Sequence, residues 1–383
     1  MSMATSPASV LPRPAARVTA HVARPRPKTW ATLVWMAALL LTLEGAVRVR
    51  AWYRHGSADP VARIYQADER LGRRLAPGAA LAGAERRLSI NQWGFRGAEV
   101  TRAKPAGTIR LAALGDSTTF GMEASSDEAV WVQQAVAHLN RADDQRSYDA
   151  INAAVPGYTI AQSYHQLAEH IAPFAPDVVV VYQVGTNIAA HGRRQFGADV
   201  GQPARRSLRR LAEESSLLLN LIRLNTAAWR ARYVAPPRPR RLDDEGVLQY
   251  AAAVQRLVEY CRAQGWPVLL CTCPRAFGDP TAPTNQYTLA ASALANVPWL
   301  PLEGLNDAYD RYNDALRRLG GQPGVTLVDL DRAVPKRGDY FADALHLNDA
   351  GHAVVGEAVA RAVREGALAA AVPMPTHLPL DGP

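Results

Sequence analysis

The segment Asp177–Val184 (Asp-Val-Val-Val-Val-Tyr-Gln-Val) constrains the fold more than any other. Its β-branched residues run on with no polar alternation, the pattern of a strand buried on both faces of a parallel sheet. Four shorter apolar runs accompany it: Thr108–Leu114 ending in Gly115, Tyr148–Ala153, Val268–Cys273 after Gly265-Trp266-Pro267, and Val325–Leu330. Helical patterns fall between and after them, at Asp127–Asn140, Thr159–Ile171, Asp243–Cys261, Leu305–Leu319 and Asn348–Arg364. In the third of these, Val247, Ala251, Val254, Val258 and Cys261 fall on one face of a 3.6-residue period. Such β–α alternation predicts an α/β fold, a three-layer αβα sandwich around a five-stranded parallel sheet. Ligands of such sheets bind beyond the carboxyl ends of the strands.

The start of the chain has a different character. Residues 1–29 hold five cations and no acid and are rich in proline, so they read as a disordered basic leader. Trp30–Leu43 carries no charge, and extended to residue 49 it reads as a transmembrane signal anchor with Trp30 and Trp52 at the interfaces, the alternatives being a cleaved signal peptide or a buried or peripheral helix. The leading cations favour an amino terminus in the cytoplasm, which puts the bulk of the chain on the far, periplasmic side. Residues 50–105 form a lead-in without strong periodicity. The main domain covers 106–372, interrupted by a basic insertion at 188–242, and a Pro-rich tail ends the chain at 373–383. The net charge of +8 is concentrated in the leader and the insertion. No continuous basic domain remains, so a nucleic-acid partner is not expected.

Four short segments lie at predicted strand ends. Gly115-Asp116-Ser117-Thr118-Thr119-Phe120-Gly121 places a hydroxyl, Ser117, at the start of a helix. Asn152-Ala-Ala-Val-Pro156-Gly157 offers a free backbone N–H at Gly157. Gly185-Thr186-Asn187 offers a side-chain amide. Asp343-Ala-Leu-His346 sets a carboxylate and an imidazole on one side of a helical turn. Each also has an ordinary structural reading: an N-cap, a Pro-Gly turn, a turn-forming Asn, a capped helix start with a surface His. Together they supply what acyl transfer requires: a nucleophile, a base, an orienting acid and donors for an oxyanion. No GxSxG elbow is present, which disfavours a standard α/β-hydrolase.

The order GDSTTFG, Asn152…Gly157, GTN and DALH resembles the SGNH, or GDSL, hydrolase superfamily, over roughly residues 106–368. The segment Ser89-Ile-Asn-Gln-Trp-Gly-Phe-Arg-Gly97 is similar to one that precedes this domain in membrane-anchored bacterial members. The resemblance implies a flavodoxin-like fold and ester chemistry without a metal or cofactor. It implies Ser117 as nucleophile, His346 as base and Asp343 as its orienting acid. The N–H groups of Ser117 and Gly157 and the Asn187 amide would form the oxyanion hole, with Asp116 in support. Ile188 stands where the family usually carries Asp.

The long insertion follows Asn187 directly and is expected to hold a helix near Leu208–Leu224 and to overhang the site. His352 reads as a helix-start residue and the alternative base. Cys271 and Cys273 read as core residues, with a disulfide to Cys261 as an alternative. The expected activity is a membrane-anchored extracytoplasmic serine esterase acting on an O-acyl ester, plausibly on a cell-envelope glycan. The alternatives are an O-acyltransferase with the same triad, or a non-catalytic glycan-binding or assembly protein on this fold.

Overall fold

The computed structural model describes residues 29–196, 216–234, 240–279, 281 and 285–367. The leader 1–28 and the tail 373–383 lie outside them. The chain divides into two units, Met1–Leu43 and Glu44–Pro383. The described part of the first unit is the apolar start of helix α1, Thr29–His55. With 27 residues α1 is long and apolar enough to cross a membrane, and Trp30, Leu33, Trp35 and Leu41 are exposed along it. The helix runs past residue 49 because Arg48, Arg50 and Arg54 interrupt the apolar run without breaking helical geometry.

The second unit is built on a five-stranded parallel sheet: β5 (Thr108–Gly115), β6 (Ser147–Asn152), β7 (Val178–Tyr182), β8 (Val268–Cys271) and β9 (Val325–Val328), in the order β6-β5-β7-β8-β9. Every residue of β7 is buried, as its β-branched run requires. Helices cover both faces. α2 (Trp131–Ala142) packs on the last helix, α8 (Asp349–Ala362). α6 (Asp244–Ala263) packs on α3 (Ile160–Gln166) and on α7 (Leu302–Leu319). From β5 the chain steps outward to β6, then returns past β5 to β7. The crevice beyond the carboxyl ends of β5 and β7 is therefore the topological switch point. The register Gly115↔Tyr182 brings those two ends side by side.

Several elements depart from the sequence reading for local reasons. Helix α2 begins at Trp131 and not at Asp127. The Asp127 carboxylate instead accepts from Ser89 N, Ser89 Oγ and Arg96 Nε at 2.9, 2.7 and 2.8 Å. The 188–242 insertion opens as a plain continuation of helix α4, Gly185–Phe196. Its second helix, α5, spans Leu217–Tyr233 and not Leu208–Leu224; residues 208–215 lie outside the described residues. Two caps set the start of α5. Ser216 Oγ accepts from Leu219 N at 3.1 Å, and the Glu44 carboxylate takes Leu217 N and Leu218 N at 3.2 and 3.0 Å. α5 packs against the helix Ala291–Asn296.

The lead-in is ordered as two hairpins, β1 (Tyr65–Asp68) with β2 (Gly72–Leu75), and β3 (Ala80–Ala82) with β4 (Arg87–Ser89). Ile64, Leu71, Leu75, Leu81 and Ile90 from this segment bury against Phe120, Ala154, Val155 and Tyr158. That second core lies beneath the loops that leave β5 and β6. Cys261, Cys271 and Cys273 are free thiols buried in the main core, not a disulfide.

Candidate active site

Residue Gly115 ends β5, and any Cβ there would crowd Tyr182 O at 2.5 Å and the Thr119 side chain. Glycine lets the chain turn at once into the short helix Ser117–Phe120. Asp116 caps that helix, accepting from Thr118 N at 3.1 Å and Thr118 Oγ1 at 2.8 Å. Its other carboxylate oxygen accepts from Thr186 N at 3.1 Å. One buried carboxylate thus ties the end of β5 to the start of α4 and fixes Ser117 beside Asn187.

The histidine arrives from the loop before α8. Asp343 Oδ1 accepts from Leu345 N and His346 N, both at 2.9 Å, and closes an Asx-type turn. The residues therefore meet through a loop and not through the helical turn that their spacing suggests. Asp343 Oδ2 lies 2.8 Å from His346 Nδ1, and His346 Nε2 lies 2.8 Å from Ser117 Oγ. Ala344 is held on both sides, its N donating to Ser292 Oγ at 3.1 Å and its O accepting from Ala276 N at 3.0 Å. Asp349 at the head of α8 accepts from Ser125 N at 2.9 Å and Ser125 Oγ at 2.5 Å, which locks the histidine loop to the loop after Ser117.

The electrostatics favour an ionised carboxylate beside a basic imidazole. Burial pushes the Asp343 carboxyl up, but the His346 charge and three hydrogen bonds outweigh it and hold it at about 2. Burial pulls His346 down, yet the Asp343 charge and hydrogen bond, aided by Asp116, raise it above its ordinary value. The Arg86 charge opposes that rise.

Three donors are left without partners. Among the described residues no acceptor takes the N–H of Ser117 or of Gly157. Asn187 is buried, its Oδ1 accepts from Ile160 N at 3.1 Å, and its Nδ2 has no partner. A buried amide donor left unpaired costs about 1–3 kcal/mol, a cost that a bound oxyanion removes. Gly157 takes φ +87°, a left-handed conformation that glycine adopts freely. Asn187 lies in the first turn of α4 and not on a strand end, and Ile188 beside it is fully buried in the apolar core. His352 is not a surface residue. It is buried inside α8 with Nδ1 facing Trp131 N at 3.4 Å, and burial lowers its pKa to about 3. Among the described residues no group of three His, Cys, Asp or Glu could hold a metal ion.

Sequence reasoning missed the arginines of the lead-in. Arg96, almost wholly buried, donates through Nη1 to Phe120 O at 2.8 Å and Gly121 O at 2.5 Å. It caps the carboxyl end of the helix that begins with Ser117, which gives the Trp93-Gly94-Phe95-Arg96 segment its physical role. The signal was an arginine embedded in an apolar, glycine-flanked stretch. Residues 197–215 and 235–239 of the insertion, expected to overhang the site, lie outside the described residues. A cleft of about 560 Å³ lies between α5 and residues 294–301, and none of Ser117, Asp343 or His346 lines it.

A serine hydroxyl hydrogen-bonded to an imidazole that is itself fixed by a carboxylate, at the switch point of an αβα sheet, defines a serine-hydrolase class of site. The chain belongs to the GDSL-like lipase/acylhydrolase family, whose sequence profile matches residues 113–354. It is an enzyme that acts on ester bonds. No curated protein shows significant similarity to it. Among solved structures it is similar to an acetyl xylan esterase, AlAXEase, at 18% identity over 67% of this chain and 100% of that one (TM-score 0.42). An acetylxylan esterase from Geobacillus stearothermophilus matches at 14% identity over 66% and 93% (TM-score 0.41). A GDSL-like lipase from Bacteroides thetaiotaomicron VPI-5482 matches at 12% identity over 67% and 88% (TM-score 0.38).

Proposed function

We propose that this chain is a membrane-anchored, extracytoplasmic serine esterase that cleaves O-acyl esters through an acyl-enzyme on Ser117, with acylated cell-envelope glycan as its substrate class. The observation that carries the reading is the contact of Ser117 Oγ with His346 Nε2 at 2.8 Å, with Asp343 on the far nitrogen.

The mechanism follows from those contacts. Asp343 accepts a hydrogen bond from Nδ1–H, which leaves Nε2 as the lone-pair nitrogen facing Ser117. As Oγ bonds to the ester carbonyl carbon, its proton moves to Nε2. The negative oxygen is met by the N–H groups of Ser117 and Gly157 and by Asn187 Nδ2. Collapse breaks the ester C–O bond, and the alcohol leaves with the proton from Nε2. Water then attacks the acyl-enzyme, passes a proton to Nε2, and the proton returns to Ser117 as the acid departs. The apolar helix α1 supports the anchor, and the cationic leader supports the orientation.

The test is a panel of esters and O-acetylated glycans offered to the full chain in detergent, beside two variants. Ser117→Ala should lose measurable turnover. Asn187→Ala should lose roughly 10²–10³ in rate, the cost of one oxyanion donor. Equal turnover by Ser117→Ala and the parent on every cleaved ester overturns the nucleophile. Acyl transfer to a glycan alcohol in preference to water would make the enzyme a transferase.

A further inference from the structure

The hairpin β1–β2 lies outside the segment matched by the family profile, yet one of its side chains reaches the Gly157 turn. Arg73 Nη2 donates to Pro156 O at 2.6 Å. The guanidinium carbon sits 4.6 Å from the centroid of the Tyr65 ring, and Tyr158 Oη donates back to Arg73 O at 2.6 Å. Arg73 is thus held at both ends, by the strand partner on one side and by the turn it grips on the other. A Cβ at residue 157 would collide with Nη2, so any larger residue here would displace the guanidinium, and the left-handed φ independently favours glycine.

Pro156 C=O and Gly157 N–H belong to one peptide unit, and no described peptide bond is cis. In a trans peptide the C=O and N–H point in opposite directions. A cation fixed on the oxygen therefore sets the plane of the peptide and turns its N–H away from Arg73, where no acceptor takes it. A charge-assisted hydrogen bond at the oxygen also draws electron density from the nitrogen and makes the N–H a stronger donor. Among the described residues Arg73 has no carboxylate partner, so its charge is not neutralised at the turn.

We infer that Arg73 is a positioning residue that orients and polarises the Pro156–Gly157 peptide so that its N–H can receive the oxyanion. This rests on the esterase reading with Gly157 as a donor. It makes the lead-in hairpin part of the catalytic apparatus.

The experiment compares the full-length parent with Arg73→Met and Arg73→Lys on a neutral ester, p-nitrophenyl acetate. It measures kcat, KM, and both the rate and the final extent of labelling by a serine-directed phosphonate. Arg73→Met should lower kcat about tenfold, less than removal of a donor itself, with KM within about twofold of the parent. Labelling should slow yet reach the same final extent, which a merely disrupted site would not do. Arg73→Lys, which keeps the charge, should recover part of kcat. An unchanged kcat in Arg73→Met overturns the inference, as does a loss of kcat matched by an equal loss of labelled protein. Full activity in Ser117→Ala would instead sink the esterase reading, whatever Arg73 does.

Discussion

At the residue scale, the proposed mechanism gives the Asp343–His346 pair both the proton transfer and its pH range. His346 works as a base only when neutral, and the Asp343 charge raises its pKa above the ordinary 6.5. Turnover should therefore fall on acidification through a pKa above that of a free histidine. Asp343→Asn removes the charge and leaves burial to dominate. The acid limb of the pH–rate profile should then move down, while kcat drops roughly 10³–10⁴-fold. A profile unmoved by Asp343→Asn would show that another group supports the imidazole. The same shifts link stability to pH. Asp343, depressed from 3.8 to about 2, contributes stability that is lost as pH falls through about 2. His346, raised, contributes stability that is present below 6.5 and lost as pH rises through its folded pKa. The pair thus stabilises the fold most in mildly acidic solution, where the enzyme turns over slowly. The i, i+3 spacing of Asp343 and His346 disclosed their partnership, but not the Asx turn that creates it. That turn depends on backbone N–H groups, which every residue carries and no pattern of side chains displays.

At the scale of elements, legibility followed the source of each element's stability. The strands β5, β7 and β8 were readable because a central strand, buried on both faces, is mostly apolar. The hairpins β1–β4 were not, because each strand is only three or four residues long, too short to display an alternation. They persist through packing on Phe120, Val155 and Tyr158, which are distant in sequence. His352 stands at the helix start that its position suggests, but its burial rests on the packing of α8 against α2, which no local pattern displays. Within β5, Arg110 is fully buried and pairs with Asp149 through Nε and Nη2 at 2.9 and 2.6 Å. Asp149→Ala would leave that guanidinium short of its counter-charge. It should cost about 3 kcal/mol of stability in denaturant titration, given that breaking a buried pair costs 3–5 and Asp149 is partly exposed. A loss below ~1 kcal/mol would show that the carbonyls of Thr101 and Phe174, which also receive Arg110, suffice.

At the scale of the whole molecule, the charge and hydropathy of the chain separate its roles. The leader holds five cations and no acid, and the apolar run gathers in α1. The full chain should therefore stay in the membrane pellet through a carbonate wash, and release of the intact chain into the supernatant would exclude an anchor. The outline of the αβα body could be read before the coordinates because its alternation is periodic. The grip of the lead-in on that body could not, because it depends on Arg73 and Arg96 meeting carbonyls far along the chain. A fragment cut at residue 113, where the family profile begins, would shed both guanidiniums, leave the oxygens of Pro156 and Phe120 without those donors, and leave Gly121 O with Ala124 N alone. Such scissors would follow a border drawn by common descent, while the smallest piece able to hold its own tools in place starts upstream, at the first hairpin.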